Sequence, residues 1–114
     1  MPAEKTITVK EIADRFGALK AHEVRKQTDD YLEYVVFTKD IRQWETAVAG
    51  ILGSPVKKSG DMPSMKDMGL CHRYGSILKD QILFRREFGE RTVIAMFWPW
   101  KNNQYTTLKI AIAS

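Results

Sequence analysis

Apolar positions recur at helical spacing in two stretches of the chain. The first begins at Thr8, whose spacing to Glu11 matches a capping box, and its apolar stripe is Val9, Ile12, Phe16 and Leu19. The second begins at Asp40, the expected N-cap, and ends before Gly53; its stripe is Ile41, Trp44, Val48, Ile51 and Leu52. The pattern therefore predicts two amphipathic helices. The polar residues 22–27 are interpreted as a further helical turn.

Strand patterns occupy most of the remaining chain. Residues 31–37 are aromatic and β-branched, and residues 81–88, 91–98 and 105–114 predict a C-terminal β-meander with a two-residue turn at Gly89 and Glu90. Thr6 to Thr8 favours a further short strand. The last strand alternates cleanly, so one face is expected to carry Thr106, Leu108, Ile110 and Ile112, and the other Thr107, Lys109, Ala111 and Ala113.

These elements predict a single α+β domain spanning residues 1–114. We expect about four strands in a mainly antiparallel sheet, with the β-meander at its C-terminal end and two helices packed on it. Helices on one face alone would leave the lighter face of the last strand open, and a homodimer is one way to cover it. Residues 54–77 show no periodicity and are expected to form a loop, which is the first place to look for a site.

Composition and charge exclude several classes of protein. A single cysteine cannot form an internal disulfide, so a stapled secreted scaffold is excluded. No segment resembles a signal peptide or a membrane span, so the expected location is cytoplasmic, with no membrane partner. The chain is basic, with a formal net charge of +4, but its charges alternate in sign along most of the sequence. Such mixing is typical of a solvated surface.

The C-terminal hairpin carries the candidate binding residues. Aromatic and basic side chains are interleaved there, namely Arg85, Arg86, Trp98, Trp100, Lys101, Tyr105 and Lys109. Aromatic rings beside cations can stack nucleic-acid bases and hold phosphates. Tryptophan and tyrosine are also favoured in protein interfaces. The hairpin is therefore a candidate surface for nucleic acid or for a protein partner, and some of its rings are expected to be structural.

The 54–77 loop suggests a different chemistry. Met62, Met65, Met68 and Cys71 follow one another at intervals of three, and His72 comes next. Thioether, thiolate and imidazole groups are soft ligands that suit copper(I), although methionine also packs under loops. The loop is therefore a candidate metal or small-molecule site, but the sequence identifies neither metal ligands nor a cofactor.

The segment from Val9 to Gly17 resembles the first helix and turn of a bacterial helix-turn-helix. In that resemblance, Ala13 permits close helix packing and Gly17 makes the turn. A recognition helix would then present Lys20, His22, Arg25 and Lys26 to DNA. The resemblance covers about 15 residues, and Glu23 stands where the motif usually has an apolar residue.

No catalytic constellation is evident, so the sequence favours a non-enzymatic function and assigns no catalytic residues. The leading hypothesis is a small domain that binds another protein or associates with itself. The alternative is a nucleic-acid-binding protein that uses the basic–aromatic hairpin or the helix-turn-helix-like segment. A metal or small-molecule site under the 54–77 loop is the second alternative.

Overall fold

A computed structural model describes residues 7–113. Three α-helices and five strands form within that range. Their bounds in chain order are Val9–Arg15 (α1), Glu23–Gln27 (β1), Tyr31–Phe37 (β2), Ile41–Leu52 (α2), Met65–Cys71 (α3), Ile82–Phe88 (β3), Arg91–Pro99 (β4) and Tyr105–Ala113 (β5). Of the short strand expected at the N-terminus, Thr6 lies outside the described residues, and Ile7 and Thr8 form no strand. No helix in residues 7–113 is long and apolar enough to cross a bilayer.

The five strands form one antiparallel sheet in the order β1-β2-β5-β4-β3. The expectation of about four strands was one too few, because residues 23–27 form β1 instead of a further helical turn. A tight turn makes this pairing local, since the amide of Thr28 donates to the carbonyl of Tyr31 at 2.8 Å. Every residue of β1 is exposed, and a register shift between Val24 and Lys26 interrupts its pairing. Both features are common at sheet edges.

The first face of the sheet carries the larger core and is covered by α1 and α2. The capping box predicted for α1 is confirmed, since the Thr8 hydroxyl accepts from the Glu11 amide and the Glu11 carboxylate accepts from the Thr8 amide. Four of the five stripe residues of α2 are buried, and Trp44 packs edge-on to Phe16 at 5.0 Å. Asp40 precedes α2 but makes no side-chain capping bond. The alternation in β5 places Leu108, Ile110 and Ile112 in this core.

The second face is partly covered by residues 54–77, which the sequence predicts to form a loop. That segment contains α3, and Cys71 and Ile77 pack on buried residues of β3, β4 and β5, namely Leu83, Ile94, Met96 and Ala111. The expectation of two helices is therefore corrected to three, and helices lie on both faces. The lighter side of β5 is in part covered by the chain itself.

A buried lysine attaches the start of this segment to the sheet. Lys57 pairs with Leu83 in an isolated β-bridge, and its side chain is only 3% exposed. Its ammonium donates to the carbonyls of Lys58, Lys79 and Gln81. All three ammonium protons therefore have acceptors, which offsets the cost of burying the charge. The burial lowers the pKa of Lys57, although Asp61 and Asp80 oppose the shift.

Candidate functional site

The fold separates the seven hairpin residues singled out in the sequence. Trp98, Trp100, Tyr105 and Lys109 lie on the second face of the sheet; Trp98 and Lys109 contact the segment after α3, whereas Trp100 and Tyr105 contact one another. The other three lie elsewhere. Arg85 pairs with the buried carboxylate of Asp67, Arg86 projects to the first face and donates to the Ile51 carbonyl at 2.9 Å, and Lys101 occupies an exposed turn.

Aromatic side chains from three parts of the chain meet at one end of the second face. His22 lies 4.8 Å from Tyr105 and 4.9 Å from Phe37, measured between ring centroids. Tyr105 in turn contacts Trp100 at 5.2 Å. The Trp100 indole is oriented by its N–H, which donates to the Thr107 hydroxyl at 2.8 Å. The rings form a continuous cluster because the strand order places β2 directly beside β5.

Cations lie over several of these rings. The guanidinium of Arg25 is 5.5 Å from the Trp100 centroid, and the ammonium of Lys26 is 5.8 Å from that of Tyr31. The ammonium of Lys109 is closest, at 3.6 Å from the Trp98 ring. We define the aromatic–basic surface as His22, Arg25, Lys26, Tyr31, Phe37, Arg73, Tyr74, Trp98, Trp100, Tyr105 and Lys109. Cations held over aromatic rings are electrostatically favourable, and they place positive charge directly against these rings.

A groove of about 670 Å³ runs through this surface. It is lined by Lys26, Thr28, Asp30, Tyr31, Glu33, Arg73, Tyr74, Gly75 and Lys109. Tyr31 and Tyr74 stack nearly parallel on its wall, with centroids 5.8 Å apart and planes 9° apart. A second depression, of about 510 Å³, lies between α2 and β3; it contains none of the seven hairpin residues, but Pro55 and Lys58 of the 54–77 segment line it. Of these two depressions, only the one at Tyr31 and Tyr74 combines paired rings with several cations.

Burial disfavours the charged form of two groups in the groove. It raises the pKa of Tyr31, and the hydrogen bond from its hydroxyl to Glu33, at 2.7 Å, acts in the same direction. Burial also lowers the pKa of Lys109, although the charge of Glu33 opposes that shift. Lys109 donates to the Tyr74 carbonyl at 3.0 Å, so its ammonium is held beside the stacked tyrosines. The groove therefore presents the neutral Tyr31 phenol beside a lysine whose position is set by its hydrogen bond.

Sequence reasoning missed about half of this surface. Arg25 and Lys26 were assigned to a helical turn, and Tyr31 and Phe37 were assigned to the sheet interior. No sequence signal shows that β2 would pair with β5 and carry β1 on its other edge, because strand order depends on long-range pairing. The one available hint was the excess of aromatic residues in 31–37, which exceeds what one buried face needs.

The methionine–cysteine–histidine pattern does not converge on one point. Met62, Met65 and Met68 are exposed, whereas Cys71 is fully buried. Burial raises the pKa of the Cys71 thiol to about 11, with Asp67 contributing in the same direction. Such a thiol is protonated at neutral pH and is a poor ligand or nucleophile. Among residues 7–113, no group of three or more histidine, cysteine or carboxylate side chains is placed to hold a metal ion.

The helix-turn-helix resemblance ends after its first helix. Gly17 does make a turn, with a φ of 59°, and α1 precedes it as that motif requires. The following segment forms the edge strand β1 instead of a recognition helix. Arg25 and Lys26 therefore belong to the aromatic–basic surface and are not presented on a helix.

Comparison of this chain with family models, with curated proteins and with solved structures finds no match. Its function is therefore argued from the chemistry of its own surfaces.

Proposed function

We propose that the aromatic–basic surface binds single-stranded nucleic acid. The observation that carries the proposal is the juxtaposition, on one open sheet face, of rings on three adjacent strands with cations beside them. Bases stack on aromatic side chains, and such stacking is worth about 1–3 kcal/mol for each base. Lysine and arginine at the same surface neutralise the phosphates that connect those bases.

The charge around the rings supports an anionic partner. Five cations border or lie over them, namely Arg25, Lys26, Lys39, Arg73 and Lys109. Three carboxylates lie nearby, and each has a partner: Glu23 is 3.5 Å from Arg25, Glu33 accepts from Tyr31, and Asp30 accepts from the Thr28 hydroxyl. The surface is thus net positive.

A single strand fits this surface better than a duplex. The groove lies between strands and the segment after α3, and no helix projects from it that could enter a major groove. Rings on a sheet require bases that are already unpaired, as in other sheet-based platforms. A protein partner at the same surface, the leading expectation from sequence, is the main competing explanation.

Filter-binding titrations test the proposal. Single-stranded oligonucleotides of mixed pyrimidine sequence, as DNA and as RNA, are compared with a duplex of equal length. We expect tighter binding of the single strand and affinity that falls linearly with salt on logarithmic axes. The Lys26→Ala, Arg73→Ala double variant should lower that slope by about 1.4, since each phosphate contact contributes about 0.7 for single strands.

Matched controls separate a specific surface from general positive charge. Lys10→Ala with Arg42→Ala removes two exposed cations from α1 and α2 and should leave the affinity for oligonucleotides nearly unchanged. Tyr74→Ala should weaken binding, whereas Tyr74→Phe should retain it because the ring is the stacking element. Equal losses of oligonucleotide affinity in the Lys26→Ala, Arg73→Ala variant and the Lys10→Ala, Arg42→Ala variant would refute the site. Absence of oligonucleotide binding, with a protein captured only by the unaltered surface, would assign the surface to a protein partner instead.

A further inference from the structure

Exposed apolar side chains are concentrated in one segment, and none of them belongs to the aromatic–basic surface. In the described part of the chain, six large apolar side chains are exposed, and five of them come from residues 56–78: Val56, Met62, Met65, Met68 and Leu78. The most exposed are Met65 and Met62, at 84% and 75%. Contiguous exposed apolar surface on a soluble domain marks an interaction site more often than chance.

The geometry of α3 keeps its methionines at the surface. Asp67 and Cys71, four residues apart, form the buried side of the helix. Asp67 is held by Arg85, and Cys71 packs in the core beneath. Met65 lies away from that side and is 84% exposed, and Met68 lies on its flank and is 43% exposed. Rotation of the helix to bury them would expose a carboxylate–guanidinium pair and empty part of the core, so their exposure is a fixed property.

The chemistry of the exposed residues favours a partner with an apolar surface. Methionine is unbranched and polarisable, and it adapts to differently shaped apolar partners. We define the methionine surface as Met62, Met65 and Met68. The Ser64 side chain caps α3 by accepting from the Asp67 amide, at 3.1 Å, so two of the three methionines project from an ordered helix.

The charges on the same segment identify the kind of partner. Within residues 56–78 the exposed cations are Lys58, Lys66 and Arg73, the last shared with the aromatic–basic surface, and the exposed carboxylate is Asp61. Asp67 is already neutralised by Arg85, and the Lys57 ammonium is buried. A second copy of the chain would bring these cations against one another, which disfavours self-association here. An acidic partner satisfies both the charge and the apolar area.

We propose that the methionine surface docks an acidic amphipathic segment of another protein, with apolar side chains on the methionines and carboxylates against the flanking lysines. The apolar anchors of such a segment would recur at helical spacing. It is a second binding surface, and it does not depend on nucleic-acid binding at the aromatic–basic surface.

Methionine-methyl NMR provides a direct test. The protein is labelled with ¹³C at its methionine methyl groups and titrated with a synthetic amphipathic helix built from leucine and glutamate. We expect shifts at Met62, Met65 and Met68 that shrink as salt is raised. The Met96 methyl, which is fully buried, is the internal control and should not move. A peptide with lysine in place of glutamate should cause at least tenfold weaker shifts at equal concentration.

Several outcomes would overturn the proposal. They are no methyl shifts, equal responses to both peptides, or binding only to vesicles of anionic lipid, which would assign the surface to a membrane. Concentration-dependent dimerisation that Met65→Ser abolishes would assign it to a second copy.

Variants separate this surface from the first. Met65→Ser with Met68→Ser should weaken the acidic peptide at least tenfold, equivalent to about 1.4 kcal/mol, and should leave oligonucleotide binding intact. Lys66→Glu should weaken binding of the acidic peptide through charge repulsion alone. Val24→Ser, at an exposed apolar residue of β1, is the matched control and should have no effect.

Discussion

Gly75 lies where the second face has no room for a side chain. Its φ of 106° is a conformation that other residues rarely adopt. A Cβ placed there would lie 2.6 Å from the Trp98 ring and 3.0 Å from the Lys109 ammonium. The absence of a side chain therefore allows the segment after α3 to press against the aromatic–basic surface and form one wall of its groove.

Gly75→Ala is expected to lower the free energy of unfolding by about 2 kcal/mol or more, because backbone strain and overpacking add. Gly69→Ala is the matched control. Gly69 lies within α3 with open space around its Cα, so alanine there should stabilise the protein by up to about 1 kcal/mol. Urea denaturation of both variants measures the difference. Similar values for the two would show that the contact with Trp98 relaxes freely.

Among the elements, α2 shows most directly how sequence spacing becomes packing. Its stripe of apolar residues is buried against the sheet, and Trp44 lies at the centre in edge-on contact with Phe16 and Tyr34. Trp100, in contrast, is half-buried at the end of β4, where its indole has one hydrogen bond and a covering guanidinium.

Trp44→Ala should therefore cost about 3–5 kcal/mol of stability, as expected for removing a buried aromatic ring. Trp100→Ala should cost about 1 kcal/mol, the net value of one hydrogen bond and some packing, and should weaken oligonucleotide binding much more. Thermal and urea unfolding measure the first effect, and filter binding the second. A Trp44→Ala cost below about 1 kcal/mol would contradict its burial.

The elements that sequence predicted well are those whose signals are local. The capping box at Thr8, the stripe of α2, the hairpin turn after Phe88 and the alternation of β5 each depend on neighbours only a few residues apart. Two elements were missed for physical reasons. Strand β1 is exposed throughout and has no apolar alternation, and α3 buries a carboxylate and contains Gly69, so neither shows an amphipathic period. The Ser64–Asp67 spacing was the available signal for α3.

The same limit applies to the candidate site. Four of the seven hairpin residues do lie together, because adjacent strands of a meander share faces by construction. Their neighbours from β1 and β2 could not be deduced, since that requires knowing which strand pairs with β5. Arg85 does not belong to the site because it pairs with Asp67, a residue that the sequence predicts to lie in a loop.

At the scale of the whole molecule, the sheet is enclosed unequally on its two sides. The first face is covered by α1 and α2. The second face is covered only over β3 and β4 and the adjoining part of β5. Lys57 joins the closing segment to the sheet edge by donating to three carbonyls. Its protonation therefore affects a long-range attachment as well as its immediate surroundings.

Lys57→Met is expected to destabilise the protein by about 1–3 kcal/mol at neutral pH, because it leaves buried carbonyls without donors. The pKa of Lys57 is lowered in the folded state, so the unfolded chain holds more protons as pH rises toward 10.5. The lysine's contribution to stability should then increase with pH over that range. Comparing urea midpoints of the two proteins from pH 7 to 10.5 isolates it, since other titrating groups cancel. A difference that stays constant with pH would mean that burial does not perturb this amine.

The distribution of the three tryptophans makes the molecule its own optical probe. Trp44 is sealed in the core and supplies a constant emission, whereas Trp98 lies under an ammonium and Trp100 under a guanidinium. A ligand that displaces either cation changes the electric field on the indole beneath it, and hence the colour and yield of its fluorescence. Occupancy of the aromatic–basic surface can therefore be followed without a label, while an event confined to the methionine surface should leave the emission unchanged.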